Sequence, residues 1–120
     1  MEIIDLEMMR GDDDEFTFEV FDVVELNNGT HEETEADFTD CRLDLHIKPS
    51  KGEIIKLSST TGEITVRGNV VDVTVSHDKT HDVKWKEAQW DMQRINSEGK
   101  VRTFVGGTFE LVHDITDIGG

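Results

Sequence analysis

The sequence predicts an all-β domain, an antiparallel Ig-like β-sandwich of about 7–9 strands with little helix. Three observations lead to this: apolar and polar side chains alternate in most segments, turn-forming Gly and Asn residues recur at short intervals, and the 120 residues include only one proline. Alternation with a period of two gives a strand one apolar face. Closely spaced turns are typical of sandwiches and barrels. A chain of this length is expected to form a single domain over residues 1–120.

The strands follow from the alternation, beginning with the amino-terminal segment, where Ile4, Leu6 and Met8 would share one face. The later predicted strands cover residues 15–20, 41–47, 64–66, 71–75, 89–95, 101–105 and 107–111. The last three are expected to form a meander, with a turn at Gly106-Gly107 between the final two. Buried faces on these strands would supply the core of the domain.

Two segments lack a clear strand pattern. Residues 30–37 are acidic and carry no apolar stripe, so either a helix or a long solvated loop is expected there. Residues 54–58 suggest a short helical turn. The sequence Asn27-Asn28-Gly29 before the acidic stretch is a turn signal, because these residues tolerate positive φ.

The charge balance narrows the classes of partner. The net charge is −15, with 27 Asp and Glu against 12 Lys and Arg, and such a field repels nucleic acid and anionic membranes. Two interpretations stay open: the charge serves only solubility, or it attracts a basic partner or a divalent cation. No apolar stretch reaches the length of about 20 residues that spans a membrane, and the amino terminus lacks a signal-peptide pattern. Synthesis in a cytoplasm as a soluble protein is therefore expected.

Candidate sites for catalysis or metal binding are weak. Asp12, Asp13 and Asp14 are the best candidates for calcium, a cation that prefers oxygen ligands, but they lack the spacing of a calcium loop, and a solvated acidic turn is favoured. His77 and His81 have a spacing that suits zinc on a helix, yet they lie between strand-like segments. The single cysteine, Cys41, excludes an internal disulfide and is expected to be a small buried residue. We expect no catalytic residues and no cofactor.

Two groups of residues are candidates for partner binding. Ile4, Leu6 and Met8 would form an apolar strand face that either pairs with a neighbouring protein or packs into the domain's own core. Trp90 alternates with Asp91 in a strand and is expected in the core. Trp85, between two lysines, is the more exposed tryptophan and the better candidate for a contact surface.

The order of several short motifs resembles a known family. These motifs are Arg10-Gly11-Asp12 before a strand, Ser58 to Ile64 with the pattern Ser-x-x-x-Gly-x-Ile, Trp90-Asp91-Met92-Gln93, a hairpin at residues 99–104, Gly107 to Leu111, and a closing Asp114-Ile115-Thr116. In this order they resemble the small β-sandwich modules of tailed bacteriophages, similar to the amino-terminal domain of upper baseplate proteins and related tail and prophage proteins. Met92 and Phe104 stand where leucine is usual, and Ile115 where valine is usual. The segment Glu87-Ala88-Gln89 lacks the glycine common before the aromatic residue.

The resemblance implies a structural protein of the virion with no catalytic residues. Such a protein is a tail, baseplate or fibre adaptor, or a connector-type module, that binds other phage structural proteins, forms a symmetric homo-oligomer such as a ring or trimer, and is assembled in the host bacterial cytoplasm. Because the last predicted strand lies close to Gly120, a free-standing adaptor is expected. The alternative is a recognition module of the virion that binds a carbohydrate or a divalent cation through Trp85, residues 77–82 and the acidic loops.

Overall fold

The fold is an all-β sandwich, as predicted. A computed structural model describes residues 1–113, and the predicted closing motif Asp114-Ile115-Thr116 lies outside them. Eleven strands are present in the described part: β1 (Glu2–Ile3), β2 (Leu6–Met9), β3 (Asp14–Glu19), β4 (Phe21–Glu25), β5 (His31–Glu35), β6 (Arg42–Lys48), β7 (Ile55–Ser58), β8 (Ile64–Arg67), β9 (Val70–Val75), β10 (Glu87–Ile95) and β11 (Val101–Val112). A 3₁₀ helix at His77–Lys79 follows β9.

Two sheets form the sandwich. The larger has the order β1-β11-β10-β6-β7, with β2 also paired to β11, and the smaller has the order β3-β9-β8. Both β1 and β2 run parallel to β11, while the other pairs are antiparallel. This strand order is that of an Ig-like β-sandwich. The strand count exceeds the expected 7–9 because the first strand is interrupted at Ile4-Asp5 and a separate hairpin, β4–β5, is inserted between β3 and β6.

The core lies between the two sheets and consists of the faces that the alternation predicted. Phe18 of β3 packs against Trp90 of β10 with ring centroids 5.6 Å apart, and Phe16 contacts Phe109 of β11 at 6.2 Å. Strands of both sheets supply its most deeply buried apolar side chains, which are Leu43, Ile47, Leu57, Ile64, Val71, Val73, Val75, Met92, Phe109 and Leu111. Cys41 is partly buried against this core.

Three local predictions were wrong. Residues 31–35 form strand β5 rather than a helix or loop, because the Asn27-Asn28-Gly29 turn brings them beside β4, with which they pair. Residues 55–58 form β7, which pairs with β6, rather than a helical turn. The third error is the turn expected at Gly106-Gly107: these residues lie inside the continuous strand β11.

The two central glycines of β11 have a steric role. A Cβ on Gly107 would overlap the Ile4 carbonyl oxygen, and one on Gly106 would lie 2.8 Å from the Trp90 carbonyl oxygen. Neighbouring backbones therefore approach β11 too closely for any side chain. The Ile4 carbonyl in turn accepts a hydrogen bond from Trp90 Nε1 at 2.9 Å. The glycines thus allow the first strands and the tryptophan to close on the last strand.

Candidate assembly surface

The β4–β5 hairpin differs from the rest of the domain because nearly all its side chains are exposed. We call residues 21–35 the ribbon. Its strand β4 carries apolar side chains that face solvent, with Val23 61% exposed, and Phe21 and Val24 are also exposed. Every residue of β5 is exposed. A large exposed apolar surface on a soluble domain commonly marks an interaction site.

The turn at the tip of the ribbon explains why the hairpin forms. Gly29 has a φ of 81°, which glycine adopts without strain. Asn28 Oδ1 accepts hydrogen bonds from the Thr30 amide at 3.1 Å and the Thr30 hydroxyl at 2.6 Å. The Leu26 amide donates to the Thr30 carbonyl at 2.7 Å, which closes the turn. These local bonds bring a weak strand sequence, His-Glu-Glu-Thr-Glu, alongside β4.

The pairing register makes the ribbon apolar along one strand and acidic along the other. Phe21 lies opposite Glu35, Val23 opposite Glu33, and Val24 opposite Glu32. Opposite residues of an antiparallel pair lie on the same face. Each face of the ribbon therefore presents apolar groups from β4 beside carboxylates from β5.

The root of the ribbon is fastened to the sandwich by Arg94 of β10. Its Nη2 donates to Asp22 Oδ1 at 2.8 Å, and the Arg94 side chain is only 13% exposed. The guanidinium also lies 5.6 Å from the centre of the Phe38 ring and 6.0 Å from that of Phe104, within the range of cation–π attraction. This group fixes where the ribbon leaves the domain.

A cleft of about 830 Å³ opens beside this root. Its walls come from the first strands and from β3, β4 and the start of β11, and its apolar lining includes Ile4, Leu6, Phe16, Val20, Phe21 and Val23. The cleft is therefore continuous with the apolar side chains of the ribbon. Glu2, Glu19 and Glu33 also line it, together with Arg102.

Charge is distributed unevenly around this surface. None of the 12 Lys and Arg residues of the chain lies between Gly11 and Cys41, whereas that segment holds 12 of the 27 Asp and Glu residues. The segment includes β3, β4 and β5. The ribbon itself carries Asp22, Glu25, Glu32, Glu33 and Glu35. A contact made here meets a strongly negative potential.

The residues predicted from the sequence to bind a partner lie in the sandwich and are buried or partly buried, unlike those of the ribbon. Met8 is buried, Ile4 and Leu6 are partly buried, and all three pack with the domain's own core, which is the second of the two alternatives for them. Ile4 and Leu6 also line the cleft. Trp85 is partly buried, with its ring 6.2 Å from that of Phe109, whereas Trp90 is 3% exposed. Contact of a partner with Ile4, Leu6, Met8 and Trp85 stays a prediction.

The acidic triplet and the histidine pair meet where Asp13 contacts His77. Asp13 Oδ1 accepts hydrogen bonds from the His77 amide at 2.7 Å and pairs with His77 Nδ1 at 3.0 Å. These bonds from the backbone and then the ring lower the pKa of Asp13. Asp14 Oδ1 accepts a hydrogen bond from the Glu15 amide at 2.8 Å, and His81 Nε2 lies 3.2 Å from Asp82 Oδ2. Within residues 1–113, no cluster of three or more His, Cys, Asp or Glu side chains is arranged to hold a metal ion.

Sequence reasoning missed the ribbon and its Arg94–Asp22 attachment. The signals in the sequence are the Asn27-Asn28-Gly29 turn and the apolar residues Phe21, Val23 and Val24 that precede it. Arg94 has the same position in the alternation of β10 as the buried Trp90 and Met92, and its ion pair with Asp22 explains how a charged residue occupies that face.

The described chain contains no helix of the length and apolarity required to cross a membrane. Compared with models of known protein families, the chain matches none, and no curated protein matches it in sequence.

Proposed function

We propose that this protein is a structural component of a tailed-bacteriophage particle, a tail, baseplate, fibre-adaptor or connector-type module that acts by binding other virion proteins. The observation that carries the proposal is the ribbon, whose apolar side chains are exposed while the sandwich behind it is well packed. The assignment to a phage particle rests on the order of the sequence motifs from Arg10 to Thr116.

An exposed ribbon of this kind carries a cost in stability and in solubility. A two-stranded hairpin is marginally stable by itself, and exposed Phe and Val side chains lower solubility without adding to the core. Both costs are offset if the ribbon is covered in an assembly. Function then resides in surface contacts, and a symmetric arrangement of copies is the usual form of such assemblies.

Particles provide the direct test. Phage particles are purified from the lysate of the bacterial culture in which this protein is made. Mass spectrometry of these particles is expected to detect the protein at a fixed ratio to the tail proteins. A variant in which residues 22–34 are replaced by a short glycine linker is expected to fold but to be absent from particles. Particles that contain no copies of the unaltered chain would overturn the proposal, as would a strictly monomeric protein that binds none of the purified tail proteins.

A further inference from the structure

We propose that the free edge of the strand formed by β3 and β4 binds an extended segment of another protein, one in which apolar and basic residues alternate. The segment would add a strand to this edge, a mode called β-augmentation. This inference rests on the proposed function and specifies the chemistry of the partner.

The free edge is continuous from β3 to β4. Val20, between β3 and β4, donates its amide hydrogen to the Asn69 carbonyl at 2.9 Å, and its carbonyl accepts from the Ala36 amide at 3.1 Å. The amide and carbonyl of an extended residue point to the same side of its strand. Strands β9 and β5 therefore lie along one edge of residues 14–25, and no strand in residues 1–113 pairs with the opposite edge.

The second step is that this edge adjoins an apolar receptor. The cleft runs beside it and is lined by Phe16, Val20, Phe21 and Val23 from the strand itself. Ile4 and Leu6 form the facing wall. Because successive side chains point to opposite faces, Phe16 and Val20 lie on the inner face of this edge, and Phe21 and Val23 lie on the outer face. An added strand would place every second side chain on the inner face, beside Phe16 and Val20 in the cleft. Main-chain hydrogen bonds would supply affinity, and the cleft would select apolar residues at every second position.

The third step assigns the charge of the partner. Glu15, Glu19 and Glu25 lie along the same strand, and Glu33 faces the cleft from β5. The strand has neither the lysine nor the proline with which many edge strands prevent pairing. Its carboxylates would repel the edge of a second copy, whereas they would attract lysine and arginine. A basic segment of a different protein therefore fits better than self-association.

A synthetic peptide tests the proposal. The probe is a peptide of about 12 residues, which matches the length of residues 14–25, with alternating Val and Lys. Binding is measured by fluorescence anisotropy at about 0.15 M salt, where long-range attraction is screened. Amide hydrogen exchange followed by NMR then locates the site. We expect new protection of amides in β3 and β4.

Matched controls separate strand addition from charge attraction. N-methylation of alternate peptide residues keeps the charge but removes amide donors, so affinity should fall about tenfold or more. A Val-Glu peptide should not bind. Val23→Lys should weaken binding of the Val-Lys peptide about fivefold or more. Val66→Lys makes the same charge change on β8, at the far edge of the smaller sheet, where Val66 is 38% exposed, and it should change affinity less than about twofold.

Three outcomes would overturn the inference: equal binding of the N-methylated peptide, protection confined to other strands, or concentration-dependent self-association that Val23→Lys abolishes. The last would make a second copy the occupant. Failure of the inference differs from failure of the proposed function. If Val23→Lys protein still enters particles at the normal ratio while the edge binds no peptide, the structural role stands and another surface mediates it.

Discussion

The sandwich and the ribbon both carry apolar side chains on their strands, but these side chains are buried in the sandwich and exposed in the ribbon. In β9 and β10 the apolar residues face a second sheet and are buried, whereas in β4 they face solvent. The sandwich therefore derives its stability from its own packing, while the ribbon leaves its apolar side chains exposed. Substitutions in the sandwich should therefore lower stability strongly, whereas substitutions in the ribbon should lower it little.

The largest effect is expected from truncation in the core. Phe109 is 1% exposed and its ring contacts those of Phe16 and Trp85. Phe109→Ala should lower the free energy of unfolding by about 3–5 kcal/mol, from lost burial and the cavity that remains. Val23→Ala on the ribbon should change it by less than about 0.5 kcal/mol. Urea denaturation followed by tryptophan fluorescence measures both values, and similar losses would contradict the division between sandwich and ribbon.

One glycine in each region tests how far the ribbon is coupled to the core. Gly107→Ala places a methyl group against the Ile4 carbonyl, so the first strands must move away from β11, at a cost of about 1–3 kcal/mol. Gly29→Ala meets no atom within 4 Å but keeps a positive φ, which costs about 1 kcal/mol. The first change should lower global stability. The second should raise hydrogen exchange only in the ribbon, and a global loss for Gly29→Ala would show that the ribbon is coupled to the core.

These two glycines also show what the sequence can predict. Gly29 was assigned correctly to a turn because its reason is local: it follows two asparagines and has a positive φ. Gly107 was misassigned because its reason is distant: a carbonyl more than 100 residues earlier in the chain occupies the space of a side chain. Strands with clean alternation, such as β3, β6 and β9, were predicted because burial enforces their pattern.

The candidate surface was harder to predict for the same reason. Strand β5 has no apolar face of its own, and it is a strand only because β4 pairs with it. The partner of Arg94, Asp22, lies 72 residues earlier in the chain. The free edge of residues 14–25 depends on which strands lie beside it, information that the alternation of a single strand does not contain. Local pattern thus predicted the layers, and pairing determined the exposed surface.

A smaller effect is expected where the two regions join. Arg94→Ala removes a guanidinium that is 13% exposed, pairs with Asp22 and lies over two aromatic rings, which should lower the free energy of unfolding by about 1–2 kcal/mol, less than for a fully buried pair. Ribbon amides should lose more exchange protection than core amides. Arg67→Ala is the control, since Arg67 pairs with Asp72 at 2.8 Å but is 66% exposed, and its cost should stay below about 0.5 kcal/mol. Equal loss of protection in ribbon and core would mean that Arg94 does not fasten the ribbon.

The smallest effect concerns acid and the seam between the first and last strands. Asp5 Oδ1 accepts hydrogen bonds from the Thr108 amide at 3.0 Å and the Thr108 hydroxyl at 2.8 Å, and these bonds, the backbone one foremost, lower the pKa of Asp5 below its ordinary value of 3.8. A carboxyl group whose pKa is lower in the folded state than in the unfolded state stabilises the fold at pH values above its unfolded-state pKa. That stabilisation disappears as the pH falls through the folded-state pKa. Asp5→Ala should therefore lower the melting temperature at pH 7, and the gap to the unaltered protein should narrow once the pH falls below 3.8. Thr108→Val, which retains the amide donor, should show a smaller gap with the same pH dependence. A gap that stays constant from neutral to acidic pH would mean that the Asp5 carboxylate does not stabilise this seam through its charge.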